Sequence, residues 1–371
     1  MRKGLWMIVG LVLLMALLWI GAGWLAWFEP NLKPGELRTP QSERVSEMNR
    51  TVAQQSSRRV IEVIATGLDT PWSLVFTSAD RIVVAERPGR IRVIEAGQLL
   101  AKPLYVFPEV SETGEEGLMS LALHPEHPVN RWLYASLAYE SDQALWVKVM
   151  RFTDEGNTLE NPVTIIDRIP AARFHAGSAL GFGLDGKLYI TTGDATEKNL
   201  AQDLGSLAGK VLRLNADGSI PEDNPLPGSP IWSYGHRNPQ GLAWHPDTGA
   251  LYSSEHGPSV FDGPAGGDEV NVIERGKNYG WPLVSHESRR DGTEAPLITF
   301  TPAEAPASLM IYSGRQHETW RGNLFFGALR GEGLVRLALD PTYPKRIASV
   351  EKLPWFQVRL KPSEPPCPDP E

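Results

Sequence analysis

His175 and Asp194, nineteen positions apart, frame the segment RFHAGSALGFGLDGKLYITTGD. His175 stands just before a short alternating run and Asp194 just after its hairpin partner, so both can emerge at one end of a strand pair. A histidine beside a carboxylate there suits a general base oriented by an acid. By pattern alone, a loop histidine and an Asx-turn aspartate account for the same two residues. Farther on, WSYGHRNPQGLAWHPDTGALY sets His236, Arg237, Asn238 and Gln240 in a loop directly before a strand. That density of planar donors suits a polar ligand with several oxygens, although Arg237 could equally sit in a surface ion pair. The stretch SSEHGPSVFDGPAGGDEVNVIERGKNYGWP then brings Glu255, Asp262, Asp268 and Glu269 together with six glycines. Oxygen ligands for a hard cation are available in it. The D-x-D-x-D-G spacing of an EF-hand is absent, so an acidic surface loop is an equal reading. Arg330, in FFGALRGEG, lies beyond a further strand end.

The elements that must hold these loops repeat. An alternating apolar run, a turn and a second strand recur as WSLVFTSADRIVVAE at 72–86, LMSLALHP at 118–125, ALGFGLDGKLYITTG at 179–193, QGLAWHPDTGALYSSE at 240–255 and GNLFFGAL at 322–329. Each has a companion strand: RIRVI at 90–94, VKVMRF at 147–152, KVLRL at 210–214, EVNVI at 269–273 and LVRLAL at 334–339. Leu74, Leu121, Leu180 and Leu242 stand 47, 59 and 62 residues apart, more than the roughly 40 to 45 of a WD40 blade, so long insertions separate the strands. Short strands, Gly, Asp and Pro turns and little helical periodicity argue for an all-β chain. Radial repetition of blades, which protects sheet edges, explains the recurrence better than a β-sandwich does. After Pro354 the chain reads WFQVRLKPSEPPCPDPE, where prolines at 362, 365, 366, 368 and 370 forbid a central strand. A last blade is therefore expected to be incomplete, with RVIEVIATG at 59–67 a candidate to complete it in part; an altered reading frame near the end is the other account.

Composition limits the partners. Lys and Arg number 36 against 44 Asp and Glu, a net charge of −8, so no nucleic-acid partner is expected. Cys367 is the single cysteine, which rules out a disulfide framework or a thiolate zinc site within the chain. Arg2 and Lys3 precede an uncharged apolar run from Leu5 to Phe28 long enough to span a bilayer. The positive-inside rule then puts the rest of the chain on the outer side of the inner membrane. A cleaved signal peptide, with secretion to the periplasm, is the alternative. The domain plan is an anchor or signal at 1–28, a polar linker at 29–58, a propeller at 59–356 and a Pro-rich tail at 357–371.

The sequence also resembles a known family. GHRNPQGLAW, the E-x-G-P loop ending in NYGWP, and the H-x-G-x-x-L-x-F-G-x-D-G-K-L-Y run occur together in the soluble quinoprotein glucose and aldose sugar dehydrogenases of the glucose/sorbosone dehydrogenase type, over about residues 60–340. The resemblance implies a six-bladed propeller, here with its sixth blade incomplete, that oxidises aldoses at C1 with pyrroloquinoline quinone (PQQ) and Ca2+ on one face. Carried over, His175 is the general base, Asp194 the acid that orients it, and Arg237 the group that polarises the quinone oxygen. Asn238 becomes a cofactor contact, Gly257 and Pro258 supply backbone carbonyls to calcium, and Arg330 takes the place of a lysine near the cofactor carboxylates. Hydride would pass from the sugar C1 to the quinone C5 while His175 removes the hydroxyl proton, and electrons would leave to an external acceptor, a quinone or a cytochrome.

Two departures bear on activity. GEEGL puts Glu115 where the family motif GQxGL has a cofactor-binding glutamine, bringing negative charge towards an anionic ligand. Gln357, Val358, Arg359 and Leu360 stand near the place of a cofactor-binding R-x-R pair, leaving at best one arginine. A non-catalytic propeller and a calcium-dependent lactonase are the alternatives to the dehydrogenase.

Overall fold

The computed structural model describes residues 62–353 apart from 341 and 344. The chain divides into units Met1–Val63 and Ile64–Glu371, and the fold described is that of the second. The expected anchor at 1–28, linker at 29–58 and tail at 357–371 lie outside the described residues.

Among the described residues, twenty-one strands form five consecutive antiparallel sheets. The first contains β1 (Pro71–Ser78), β2 (Arg81–Glu86) and β3 (Arg90–Glu95), with two short strands, β4 (Gln98–Leu99) and β5 (Tyr105–Val106), both paired with β3. The second is β6 (Leu118–Leu123), β7 (Trp132–Ser141), β8 (Ala144–Asp154) and β9 (Leu159–Pro170). The third is β10 (Gly177–Phe182), β11 (Leu188–Thr192), β12 (Lys210–Leu214) and β13 (Ile231–Tyr234). The fourth is β14 (Pro239–Trp244), β15 (Leu251–Glu255), β16 (Asp268–Ile273) and β17 (Ile298–Phe300). The fifth is β18 (Pro306–Ile311), β19 (Leu324–Ala328), β20 (Gly333–Leu339) and β21 (Ile347–Leu353).

Local chemistry accounts for the hairpins. Between β10 and β11, Asp185 Oδ1 accepts the Lys187 N–H at 3.1 Å and Gly186 takes φ +70°, the left-handed conformation that an Asp-Gly turn supplies cheaply. The strands are rich in Val, Ile and Leu, which pack well on a pleated surface. Every first strand meets its neighbour with a register shift near its start, at Pro71/Ser73, Leu118/Ser120, Gly177/Leu180, Pro239/Gly241 and Pro306/Leu309. Such bulges sharpen the twist and re-aim the side chains at the entry to each blade.

The first strands pack in chain order, β1 on β6, β6 on β10, β10 on β14 and β14 on β18. Apolar cores lie between neighbouring blades: Val83, Ile91, Leu121 and Leu133 between the first and second, Tyr134, Val147, Ile190 and Leu212 between the second and third. Tyr189, Val211 and Leu251 join the third to the fourth, and Tyr252, Val270, Phe326 and Leu337 the fourth to the fifth. The five first strands line a central cavity of about 780 Å3, with Glu115 and His256 on its wall.

The all-β propeller is thus as expected, and the five repeated strand pairs correspond to its five blades. The six-bladed expectation is corrected to five blades among the described residues. Residues 62–67, taken as part of a completing strand, form no strand, and 354–371 lie outside the described residues. The fifth blade also begins one strand earlier than the repeat suggests: GNLFFGAL supplies β19, and its first strand is Pro306–Ile311. The membrane-anchored, periplasmic location is likewise not upheld, since among the described residues no helix is long and apolar enough to cross a membrane, and residues 1–28, which carried that expectation, lie outside them.

Candidate active site

The third and fourth blades hold the site between them, and backbone and side-chain hydrogen bonds tie them together there. Asp194 N donates to Arg237 O at 2.7 Å, Gly177 N to Asn238 Oδ1 at 3.1 Å and Thr191 Oγ1 to Pro239 O at 2.7 Å. The residues before β10 and those after β11 therefore share one frame with the loop before β14.

In that frame His175 Nδ1 and Asp194 Oδ1 are 2.8 Å apart, both side chains buried. The Asp194 carboxylate has further donors, Thr196 N on Oδ1 at 2.8 Å and the indole Nε1–H of Trp281 on Oδ2 at 2.8 Å. His175 itself adopts φ +59°, a left-handed conformation uncommon for a residue with a side chain and one that surrounding structure must hold in place. Gly193 helps to hold it, because a Cβ at 193 would stand 1.8 Å from the His175 carbonyl oxygen. Only glycine fits that approach. His175 Nε2 has no hydrogen-bond partner among the described residues. The Phe261 ring stacks beside the imidazole with centroids 6.3 Å apart.

Arg237 is buried rather than a surface ion pair. Its Nε donates to Asp262 Oδ2 at 2.8 Å, Nη1 to His256 O at 3.2 Å and Nη2 to Ser259 Oγ at 3.2 Å. A guanidinium carries five N–H donors, so two remain for a ligand. Burial alone would raise the Asp262 carboxyl, but the hydrogen bonds from Arg237 and the Ser259 backbone outweigh it and hold Asp262 below the usual carboxylate range. Asn238 is also buried; its Oδ1 accepts from Gly177 N and Gln240 Nε2, and its Nδ2 donates to Glu115 Oε2 at 3.4 Å. The same Glu115 oxygen accepts the His175 N–H at 3.3 Å. His175, Asp194, Arg237, Asn238 and Glu115 are therefore one connected group.

The acidic stretch after β15 resolves differently from a cation-binding loop. Glu255 accepts from His236 Nδ1 at 2.9 Å and from the Arg237 backbone N–H. Asp268 accepts from Gly257 N at 2.8 Å and from Glu304 N and Ala305 N, each at 2.7 Å. Burial, then the charge of Glu255, pushes the Glu269 carboxyl up to about 8, against a hydrogen bond from Asn271. Among the described residues no group of three or more His, Cys, Asp or Glu side chains is arranged to hold a metal. The carbonyl donors stand apart from that set. Gly257 O has no hydrogen-bond partner among the described residues, while Pro258 O accepts Gly266 N at 3.2 Å.

Arg330 is exposed and not joined to the group by its side chain; its backbone N donates to Glu304 O at 3.0 Å. The sequence reading missed three partners: Trp281 on Asp194, Asp262 on Arg237 and Glu255 on the Arg237 backbone. Of these only Trp281 carried a signal, as part of NYGWP; the others lie in a stretch where any carboxylate looks like a ligand.

A family model described as Glucose / Sorbosone dehydrogenase matches residues 68–360. An aldose sugar dehydrogenase of Escherichia coli (strain K12) is 33% identical over 304 residues, 76% of this chain and 80% of that protein. Quinoprotein glucose dehydrogenase B of Acinetobacter calcoaceticus is 33% identical over 257 residues, 60% of this chain and 52% of that protein. Among solved structures, the PQQ-bound form of an aldose sugar dehydrogenase from Streptomyces coelicolor superposes with a TM-score of 0.69 at 33% identity, covering 80% of this chain and 84% of that one.

Proposed function

The chain belongs to the glucose/sorbosone dehydrogenase family, and from that premise we propose that it oxidises an aldose at C1 to the lactone, using PQQ on the face that carries His175 and Arg237. The observation that carries this reading is the buried His175–Asp194 pair with Nε2 unpartnered, beside an arginine with N–H groups to spare.

The donor set suits such a cofactor. A flat, anionic, oxygen-rich molecule needs planar donors, and Arg237 offers two unused N–H groups. The carbonyls of Gly257 and Pro258 would hold Ca2+, the first of them without a hydrogen-bond partner among the described residues. When bound, PQQ would supply the two-electron acceptor, and an external acceptor would complete the cycle.

The protein's own residues then divide the work. Both Asp194 oxygens already face N–H donors, an arrangement that favours the proton shared with His175 on Nδ1 and would leave the Nε2 lone pair to take the sugar's anomeric hydroxyl proton as hydride leaves C1. The Arg237 guanidinium, kept out of bulk water by the 256–262 turn, would stabilise negative charge as it develops. Phe261 shields the imidazole on its outer side.

Reconstitution of the full chain with PQQ and Ca2+, followed by dye reduction with glucose and other aldoses, tests the reading. Calcium-dependent turnover that disappears in His175→Ala is expected. Absence of both cofactor binding and turnover would overturn it in favour of a non-catalytic propeller.

A further inference from the structure

One side chain outside the residues singled out for chemistry touches both halves of the site. Trp281, in the connection between β16 and β17, is buried. Its indole N–H donates to Asp194 Oδ2 at 2.8 Å, and the Arg237 guanidinium lies 5.6 Å from the centre of its ring. Trp281 is itself fixed at both ends of its peptide unit: its N donates to Gly235 O at 2.9 Å and its O accepts from Gln202 Nε2 at 2.7 Å.

We propose that Trp281 is a positioning residue for the oxidation, setting the tautomer of His175 through Asp194 and holding Arg237 in register with it. This rests on the dehydrogenase reading. An indole N–H can donate but never accept, so it favours the unprotonated form of the Asp194 Oδ2 that faces it. Oδ1 faces another donor, the Thr196 backbone N–H. With both oxygens accepting from N–H donors, the arrangement favours the shared proton on His175 Nδ1, which leaves Nε2 its lone pair. Without the indole, Oδ2 is a buried acceptor lacking a partner, and the carboxylate can turn about its soft terminal torsion to find another. The imidazole would then lose its fixed orientation and its single tautomer. The ring adds a second effect, since a guanidinium at this distance from an indole is attracted to it.

Trp281→Phe keeps most of the ring and removes the donor. In the reconstituted full chain kcat is expected to fall about tenfold to a hundredfold while KM stays within about threefold, the pattern of a lost transition-state alignment. Nitrogen-15 spectra of the cofactor-free chain, labelled at histidine, should show His175 as one Nδ1–H tautomer in the wild type and a mixture in the variant. An Nε2–H tautomer in the wild type would overturn the proposal, whether or not the variant folds. So would wild-type kcat and unchanged His175 signals in Trp281→Phe. Because the tautomer is read without cofactor or sugar, a chain that turns over no aldose would count against the dehydrogenase reading alone.

Discussion

Two consecutive blades carry the same device, and one of them is closed. In the third blade His175 stands just before β10 and Asp194 just after β11; in the fourth, His236 stands just before β14 and Glu255 at the end of β15. Each histidine meets its carboxylate nineteen residues later through Nδ1, at 2.8 Å and 2.9 Å. The other nitrogen separates them. His236 Nε2 is 2.9 Å from Ser233 Oγ, its ring stacks on Tyr279 with centroids 4.7 Å apart, and it has no exposure to solvent. His175 Nε2 has no such partner among the described residues, and the Phe261 ring stacks beside its imidazole. A histidine and an acid at equivalent places in a blade are therefore not enough to make a base. The free lone pair decides: at the fourth blade the Ser233 hydroxyl, contributed by β13 of the third, occupies that nitrogen, and the same geometry becomes a brace for the Arg237 backbone.

The comparison breaks most sharply at the two histidines. His175→Ala should lower turnover about a thousandfold, in the usual range for loss of a general base, with little change in melting temperature. His236→Ala should do the reverse. It removes a packed ring and leaves Glu255 and Ser233 short of a partner, so a loss of about 2–4 kcal/mol in denaturant unfolding is expected. Equal losses of turnover per folded molecule in both variants would erase the distinction. A smaller effect concerns the loop that follows Asp194. Lys210 is fully buried and its Nζ donates to the carbonyls of Leu200, Ala201 and Ala208 at 2.8, 3.1 and 2.6 Å. Lys210→Met leaves Ala208 O without its donor, and Leu200 O and Ala201 O with only their backbone partners Asp203 N and Gly235 N, and should cost about 1–3 kcal/mol by thermal or denaturant unfolding, while the His175–Asp194 contact persists.

Much of this was legible because propeller strands repeat and turns announce themselves. The pairs at 72–86, 179–193 and 240–255 are β1–β2, β10–β11 and β14–β15, legible because short apolar runs are bounded there by Gly and Asp turns. The strand Pro306–Ile311 was not legible: PASLMI leaves Leu309 buried but Met310 half exposed, so it shows no clean alternation. His175, Asp194 and Arg237 stood out by type and context. Their partners did not, since Trp281 reaches Asp194 across 87 residues and Asp262 reaches Arg237 across 25. Sequence shows which side chains can donate or accept, but the acidic stretch read as oxygen ligands because the N–H groups that claim Glu255, Asp262 and Asp268 come partly from distant loops, at His236, Arg237, Glu304 and Ala305, and partly from local turns at Gly257 and Ser259.

Glu115 lies at the mouth of the open pair and sharpens the contrast in the gentlest way, because the closed pair has no counterpart to it. Its Oε2 accepts only long hydrogen bonds, 3.3 Å from the His175 backbone and 3.4 Å from Asn238, and it borders the central cavity. A carboxylate there would repel the proposed tricarboxylate cofactor and occupies the amide of Asn238. Glu115→Gln keeps an oxygen for those two donors and adds an N–H2 group, so PQQ affinity should rise about threefold to tenfold, or ~0.7–1.4 kcal/mol, with stability unchanged. Titration of the cofactor at fixed calcium measures this. Repulsion between charges is screened by salt, so the advantage of the variant should shrink as ionic strength rises. Weaker binding by Glu115→Gln at every salt concentration would mean that the carboxylate's hold on the His175 backbone matters more than its charge.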